Sequence, residues 1–322
     1  RMCLALLLLI FSFNVSAQKT FKNPILPGFH PDPSICRVEN DYYMVTSSFE
    51  WFPGLPIFHS KDLVNWEQIG HVLDRPSQLQ MKDGLKASNG LWAPTIRYHQ
   101  GTYYVICTAT GCGGNFFVTA DSPEGPYSEP IFIKDAPGID PSLFFDEDGT
   151  MWYCGSINGD NKIPPRRYPA EDRIYVQQLD PSTGQFIGER HIVSSGYAIN
   201  SPYAEAPHIY KIKGKYYLMI AEGGTWENHA VSVFTADNIV GPYTPFICNP
   251  VLTHRHLGND IDITTIGHAD LVQTQNGDWY SVMLGVRPVN GFNMLGRETF
   301  LTPVEFQGEQ PIFNPGVGRV LM

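Results

Sequence analysis

Three carboxylates lie in short motifs that could supply acid–base chemistry. Asp32 lies between two prolines in HPDPSI, Asp140 in the nearly identical GIDPSL, and Glu205 in the apolar, small-residue motif YAEAPHIY. The prolines suit Asp32 to act as a rigid base, and burial would raise the pKa of Glu205 as a general acid requires. Ordinary structural roles stay open: a turn cap for Asp32, an ion pair for Asp140, and a hydrogen bond between repeats for Glu205.

The elements that must position these side chains follow from a repeat. Five segments share a strand, a polar turn and a second strand with paired aromatics. They align on Pro33, Pro94, Pro141, Pro207 and Asp270. The second aromatic follows ten residues later in four copies and twelve later in the third, at Tyr43, Tyr104, Tyr153, Tyr217 and Tyr280. Each copy continues into outer strands, which makes a four-stranded unit of roughly 50 to 65 residues. The pattern predicts an all-β fold, a five-bladed β-propeller.

The propeller geometry would bring the candidate residues together. The first strand of each blade lines the axis, so residues at equivalent positions form a ring. Directly before the reference positions stand Asp32, Ala93, Asp140, Ala206 and Ala269, and one residue earlier stand Pro31, Trp92, Ile139, Glu205 and His268. The three carboxylates, Trp92 and His268 are therefore predicted to converge on one pocket. An acid and a base facing each other beside aromatic rings are typical of glycoside hydrolysis.

Several neighbouring residues have two interpretations. His268 is either a hydrogen-bonded core histidine or a ligand for an axial ion such as calcium. Trp51 and Phe52 are predicted to be core residues, while Phe49 could lie in the core or in the site. The glycine-rich stretches 111–117 and 222–228 are predicted to be loops around the funnel mouth. The Pro-Arg-rich insertion in 160–180 has no predicted role.

The ends and the composition constrain the class of protein. Residues 1–17 have the character of a secretory signal peptide, so we expect export to the periplasm or secretion. No later apolar run is long enough to span a membrane. The formal charge of −10 argues against nucleic acid or anionic membranes as partners. Outside the signal the cysteines are odd in number, and a Cys107–Cys112 bridge is left open.

Taken together, the motifs resemble those of glycoside hydrolase family 43, closest to the β-xylosidase and α-L-arabinofuranosidase branch. The resemblance rests on HPDPSI, GLWAPTIRY, GIDPSLFFDEDG, YAEAPHIYKIKGKYY, GHADLVQ and LGRETFL, in the family's order and over nearly the whole mature chain. It implies a five-bladed propeller that inverts the anomeric centre, and it implies no required cofactor.

The resemblance also assigns roles to individual residues. It implies Asp32 as general base, Glu205 as general acid and Asp140 as the residue that tunes the pKa of the acid. An inverting pair places the two catalytic carboxyls about 6.5 to 9.5 Å apart. Substrate contacts are implied for Phe49, Trp92, His268 and Arg297, with His268 near an axial calcium ion or a water.

We therefore expect an exo-acting hydrolase that releases xylose and/or arabinose from plant cell-wall oligosaccharides. An endo- or exo-arabinanase of the same fold, or a non-catalytic carbohydrate-binding propeller, stays open. A fructoside enzyme would open with Asn-Asp-Pro rather than HPDP. The expected organisation is a signal peptide at 1–17, a propeller at 18–305 and a tail or linker at 306–322, leading to a β-sandwich domain such as several relatives carry. The sequence leaves open the choice between the two sugars and the oligomeric state.

Overall fold

The computed structural model describes residues 20–158, 165–258 and 260–322. None of these residues lies in a helix, and they form twenty-one strands. The strands are β1 (Ser34–Val38), β2 (Asp41–Val45), β3 (Gly54–Ser60), β4 (Glu67–Leu73), β5 (Gly90–His99), β6 (Thr102–Thr110), β7 (Gly114–Ala120), β8 (Ile131–Phe132), β9 (Ile139–Phe145), β10 (Met151–Asn158), β11 (Asp172–Leu179), β12 (Phe186–Ser194), β13 (Glu205–Ile212), β14 (Lys215–Glu222), β15 (Ala230–Ala236), β16 (Thr244–Pro245), β17 (Leu252–Thr253), β18 (Thr264–Gln273), β19 (Trp279–Val286), β20 (Glu298–Gln307) and β21 (Gln310–Phe313).

Consecutive strands pair into five antiparallel sheets. The sheets are β1–β4, β5–β8, β9–β12, β13–β16 with β17 added beside β15, and β18–β21. Local turn chemistry produces the hairpins. Between β5 and β6, for example, Gln100 and Gly101 both have positive φ, at 49° and 88°, as a two-residue turn that matches the strand twist requires.

The five sheets form a closed ring of blades. The first strands β1, β5, β9, β13 and β18 each contact the first strand of the next blade, and β18 contacts β1. The chain's start reinforces the closure, because Leu26 and Thr299 exchange backbone hydrogen bonds of 3.2 Å. Asn23 also donates to the Leu301 carbonyl and accepts from its N–H, both at 2.9 Å. The predicted all-β, five-bladed β-propeller is confirmed.

The apolar core lies between adjacent blades. Val45 and Leu55 of the first blade pack with Ile96 and Phe116 of the second, and the other clusters join neighbouring blades in the same way. Strands in the middle of a blade are covered on both faces by the neighbouring blades. The sequence of β6, TYYVICTAT, is therefore mostly apolar rather than alternating.

A charged network crosses the axis and joins four blades. The carboxylate of Asp270 on β18 accepts two hydrogen bonds from Arg97 on β5, at 2.8 and 3.1 Å. It also accepts hydrogen bonds of 2.6 Å from the hydroxyls of Ser34 on β1 and Tyr210 on β13. The sequence pattern gave no indication of this network, since its members come from four different repeats.

Four of the five first strands carry the same irregularity where they approach the axis. A β-bulge interrupts the pairing of β5, β9, β13 and β18, whereas β1 pairs with β2 in an unbroken register. A residue with positive φ between 42° and 56° lies at the equivalent place in every blade: Asp32, Ala93, Asp140, Ala206 and His268. Such backbone is strained for residues other than glycine and persists because the surrounding blades hold it.

These registers correct the predicted alignment in two copies. In the fifth blade the ring position belongs to His268 rather than Ala269, because Gly267 pairs with Leu284 and Ala269 with Met283. In the third blade the aromatic opposite the third residue after the reference proline is Trp152, which pairs with Phe144, rather than Tyr153. The spacing between two motifs shows that a copy contains an extra residue. It does not show whether that residue lies in a bulge of the first strand or in the turn.

The structure differs from several other predictions. The predicted domain boundary at 305 falls inside β20, and the fifth blade continues to the end of β21 at Phe313. Trp51 and Phe52 are not core residues: they lie in the β2–β3 loop and are 69% and 37% exposed. The five cysteines in the described ranges are free thiols, so Cys107 and Cys112 are not bridged.

The predicted signal peptide lies outside the described residues. No helix in the part of the chain that the structure describes is long and apolar enough to cross a membrane.

Candidate active site

A cavity of about 420 Å³ lies where the ring positions meet. Six of the seven residues predicted for the site line it: Asp32, Trp92, Asp140, Glu205, His268 and Arg297. The seventh, Phe49, is buried behind the wall, with its ring centroid 6.4 Å from that of Trp92 and 5.5 Å from the Arg297 guanidinium. The structure therefore brings the predicted residues together.

Asp32 is held by donors on two sides. Arg297 Nη1 donates to its Oδ1 at 2.6 Å, the Ser47 hydroxyl donates to its Oδ2 at 2.6 Å, and His268 Nδ1 lies 3.9 Å from Oδ1. Burial by itself raises the pKa of Asp32, but the charges of Arg297 and His268 and the Ser47 hydrogen bond outweigh it. The pKa lies below its ordinary value, so the carboxylate is ionised at neutral pH.

Ser47 connects two ring positions, although sequence reasoning did not select it. Its hydroxyl donates to Asp32 and accepts a 2.7 Å hydrogen bond from the backbone N–H of Ala93. The Ser47 N–H in turn donates to the carbonyl of Pro31 at 3.0 Å. The orientation of Asp32 is thereby tied to the first and second blades.

Asp140 lies against the next blade of the ring. Its Oδ2 accepts a 3.1 Å hydrogen bond from the N–H of Ala206, the residue after Glu205. Burial, together with the Asp32 charge and against the opposing effect of His268, raises the pKa of Asp140 to about 6. Near neutral pH, therefore, Asp140 changes its charge right beside Glu205.

Glu205 has the opposite electrostatic surroundings from Asp32. It begins β13 and is 9% exposed. Burial raises its pKa well above the ordinary value, and the charges of Asp140, Asp172 and Asp32 raise it further. The carboxyl therefore keeps its proton at neutral pH. One cavity thus contains an ionised carboxylate and a protonated carboxyl, which can act as a base and an acid in the same reaction.

Four residues of the cavity wall escaped the sequence reasoning about the site. Arg166 lies between β10 and β11 and Asp172 is the first residue of β11, and Arg166 Nη2 donates to Asp172 Oδ1 at 3.0 Å. Tyr203 precedes β13, and Trp226 lies in the 222–228 loop, which was predicted at the funnel mouth. The only available signals were the Arg pair in the insertion and a tryptophan among glycines.

The described residues around His268 do not include a cluster of acidic side chains that could hold a calcium ion. Calcium takes six to eight oxygen ligands. The described residues contain no group of three or more His, Cys, Asp or Glu side chains that could hold a metal. The Asp32 oxygen that lies 3.9 Å from His268 Nδ1 already accepts a hydrogen bond from Arg297. Calcium near His268 stays a prediction.

The fold and the cavity define a five-bladed propeller with an axial acid–base pair of carboxyls. Residues 21–311 match the family model described as "Glycosyl hydrolases family 43", and the chain belongs to this family.

The relatives share this region at high identity. The chain is 48% identical over 300 residues to a xylosidase/arabinosidase of Butyrivibrio fibrisolvens, with 92% of this chain and 57% of the relative covered. It is 46% identical over 314 residues to the non-reducing end α-L-arabinofuranosidase BoGH43B of Bacteroides ovatus, with 95% and 56% covered. A solved xylan β-1,4-xylosidase from Bacillus halodurans aligns with a TM-score of 0.86 at 39% identity, covering 94% of this chain and 58% of that one. The chain spans little more than half the length of these relatives.

Proposed function

We propose that the chain is an exo-acting, inverting glycoside hydrolase that releases xylose and/or arabinose from the non-reducing ends of xylan- or arabinoxylan-derived oligosaccharides. The observation that carries the proposal is the difference in protonation between ionised Asp32 and protonated Glu205 in one cavity. The names of the relatives, xylosidases and arabinofuranosidases, support the sugar class.

The reaction uses one water and needs no covalent intermediate. Asp32 accepts a proton from a water while the water oxygen bonds to the anomeric carbon. Glu205 donates its proton to the glycosidic oxygen as the bond between that oxygen and the anomeric carbon breaks. Because attack comes from the face opposite the leaving group, the released sugar has the inverted configuration. Asp32 then releases its proton to solvent and the deprotonated Glu205 takes one up, which restores the starting state.

The remaining predicted residues support these two groups. Arg297 holds Asp32 ionised and oriented, and the Phe49 ring lies under its guanidinium. Asp140 keeps Glu205 protonated and binds the N–H next to it. Trp92 offers an aromatic face, and its indole N–H donates to the Ser88 carbonyl at 2.7 Å, which fixes the ring. A pocket of about 420 Å³ on the propeller axis suits a chain end better than an internal bond.

Parallel assays on two chromogenic substrates test the proposal. Sugar release is measured from an aryl β-D-xylopyranoside and an aryl α-L-arabinofuranoside, with wild type, Glu205→Gln and Glu189→Gln. Glu189 is an exposed residue of β12 and serves as the matched control. We expect release from at least one substrate, a fall of about 100-fold or more in Glu205→Gln and wild-type rates in the control.

The products decide between the proposal and its alternatives. The anomer formed first is followed by proton NMR, and an inverted anomer is expected. Retention of configuration contradicts the assignment of Asp32 as base. Release of only longer oligosaccharides from arabinan indicates an arabinanase, whereas sugar binding with no release from any substrate indicates a carbohydrate-binding propeller.

The location of the protein is a separate proposal. We infer export to the periplasm or the medium from the leader-like sequence of residues 1–17. Fractionation of cells that express the natural gene checks this, and accumulation of the chain in the cytoplasm contradicts it.

A further inference from the structure

The wall of the cavity divides into two sides by blade. Asp32, Trp92, His268 and Arg297 come from the first, second and fifth blades, and Arg297 and His268 lie against the base, Asp32. The other charged and aromatic side chains of the wall come from the third and fourth blades, which also carry Asp140 and Glu205. These are Arg166, Asp172, Tyr203 and Trp226. The two sides therefore differ in chemistry as well as in position.

Trp226 presents an unused aromatic face. Its side chain is 47% exposed although it lines the cavity, and its ring meets Tyr203 edge to face at 5.5 Å between centroids. The ring lies across the backbone of Gly224, where a Cβ would come within 2.7 Å of it. Gly224 also has φ of +77°, so the loop needs glycine there. The indole is thus fixed in place with one side open to the cavity.

A fixed ion pair lies on the same side. Arg166 donates through Nη2 to Asp172 at 3.0 Å and through Nε to the Glu171 carbonyl at 2.9 Å. The Arg166 side chain is 34% exposed, while that of Asp172 is 3% exposed. The pair therefore offers guanidinium donors and carboxylate acceptors next to the aromatic pair. Sugars are bound by this combination, because their C–H faces pack on aromatic rings while their hydroxyls need donors and acceptors.

The position of the acid determines what these residues contact. A general acid must lie within hydrogen-bond reach of the leaving oxygen, so the leaving group lies on the Glu205 side of the cavity. We propose that Arg166, Asp172, Tyr203 and Trp226 form the subsite for the leaving group and that they select a sugar ring there. This inference rests on the proposed function. It predicts that the enzyme is adapted to oligosaccharides rather than to glycosides with small leaving groups.

The test compares two substrates that differ only in the leaving group. A disaccharide with the cleaved glycone at its non-reducing end is compared with the methyl glycoside of the same sugar and configuration. Both need a proton on an alkoxide, but only the disaccharide can occupy the proposed subsite. In Trp226→Ala we expect the ratio of kcat/KM values, disaccharide over methyl glycoside, to fall about tenfold. Trp51→Ala removes an exposed indole outside the cavity wall and should keep the wild-type ratio.

A second variant separates the polar pair from the aromatic one. Arg166→Met keeps much of the side-chain length and removes the donors, and we expect the same ratio to fall about fivefold. Circular dichroism and thermal unfolding of each variant show whether it is folded. Equal losses on both substrates in folded Trp226→Ala and Arg166→Met overturn the subsite, because damage to the catalytic groups would affect both substrates alike.

Failure of the proposed function is distinguishable. If wild type cleaves neither substrate, titration calorimetry with the disaccharide and the free monosaccharide tests the subsite without turnover. Disaccharide affinity that weakens in Trp226→Ala, with monosaccharide affinity retained, supports the subsite. Identical affinities in wild type and Trp226→Ala, or no disaccharide binding to wild type, overturn it.

Discussion

Asp32 and Glu205 are buried to a similar degree, at 4% and 9% exposure, yet their pKa values move in opposite directions. Burial raises the pKa of both carboxyls, so the neighbours decide the difference. Asp32 has Arg297 at 2.6 Å, whereas Glu205 has Asp140 and Asp172 as its charged neighbours. The placement of one arginine and two aspartates thus separates a base from an acid.

Asp140→Asn tests this account at the scale of a residue. The amide oxygen can still accept from the Ala206 N–H, but the negative charge beside Glu205 is gone. Loss of that charge lowers the pKa of Glu205, so the basic limb of the pH profile of kcat should move to lower pH. We expect activity about ten- to a hundredfold below wild type at pH 8, with a smaller deficit at pH 5.

The pH profiles of wild type, Asp140→Asn and Asp121→Asn provide the measurement. Asp121 is exposed and lies after β7, so its variant should have the wild-type profile. A basic limb that stays at the wild-type pH in Asp140→Asn would show that Asp140 acts on orientation alone.

Among the elements, the axial end of the first strand of each blade carries the site. The residue there has a positive φ in all five blades, and in four of them it lines the cavity: Asp32, Ala93, Asp140 and His268. In the fifth blade, a histidine that directly precedes β15 of the fourth blade packs against the bulge. The ring of buried His229 presses on Gly267, where an added Cβ would lie 2.4 Å from it, and His229 Nδ1 donates to the Thr265 carbonyl at 3.1 Å.

Gly267→Ala is therefore expected to displace the fifth bulge. The new methyl group cannot fit against His229, so either the imidazole or the β18 backbone must move. We expect a loss of stability of about 1 to 3 kcal/mol and a fall in kcat/KM, because His268 and Asp32 lose their relative position. Urea denaturation measures the loss of stability. Assays on the aryl glycoside of the sugar that wild type releases measure the fall in kcat/KM.

Gly70→Ala is the matched control. Gly70 lies in β4, and the atoms nearest to an added Cβ are 4.0 Å away, so stability should stay within about 0.5 kcal/mol of wild type. If Gly267→Ala retains wild-type stability and activity, the contact with His229 does not hold the bulge.

In the molecule as a whole, the hydrogen-bond network around Asp270 links four blades at the axis. Asp270 is fully buried and accepts hydrogen bonds from residues of three other blades. Burial raises the pKa of Asp270, but Arg97 and His208 and the hydrogen bonds more than offset this, so the pKa lies well below its ordinary value. Asp270 is therefore ionised in the folded protein at neutral pH.

Asp270→Asn is predicted to destabilise the propeller and to flatten its acid response. Removing one partner of a buried ion pair costs about 3 to 5 kcal/mol. A depressed folded pKa contributes stability that is present above the unfolded value, near 3.9, and is lost as pH falls below it. Wild type should therefore lose stability more steeply than Asp270→Asn between about pH 4 and pH 2. Urea titrations at each pH measure this.

Asp121→Asn again provides the comparison for the whole-molecule prediction. Its stability and its slope with pH should match those of wild type. A slope in Asp270→Asn as steep as in wild type would mean that other carboxylates account for the acid response.

The repeat, the five-bladed fold and the carboxylates that meet at the axis were all predictable from the amino-acid sequence. Strand alternation, glycine turns and Asp-Pro pairs are encoded within a few residues of each other, so they can be recognised without a structure. Equivalent places in a propeller repeat must meet at the axis, which brought Asp32, Asp140 and Glu205 together in advance. Arg297 came only from the family resemblance, because it lies outside the repeat.

How the repeats fit against one another became apparent only from the folded structure. The fifth bulge falls at His268, beside Gly267 and the His229 ring that packs on it, and the exposure of Trp51 depends on what the other blades leave uncovered. The leaving-group side needed Arg166 and Trp226, which are sixty residues apart in sequence and belong to different blades. Contacts between blades depend on packing over long sequence separations, and no local pattern contains that information.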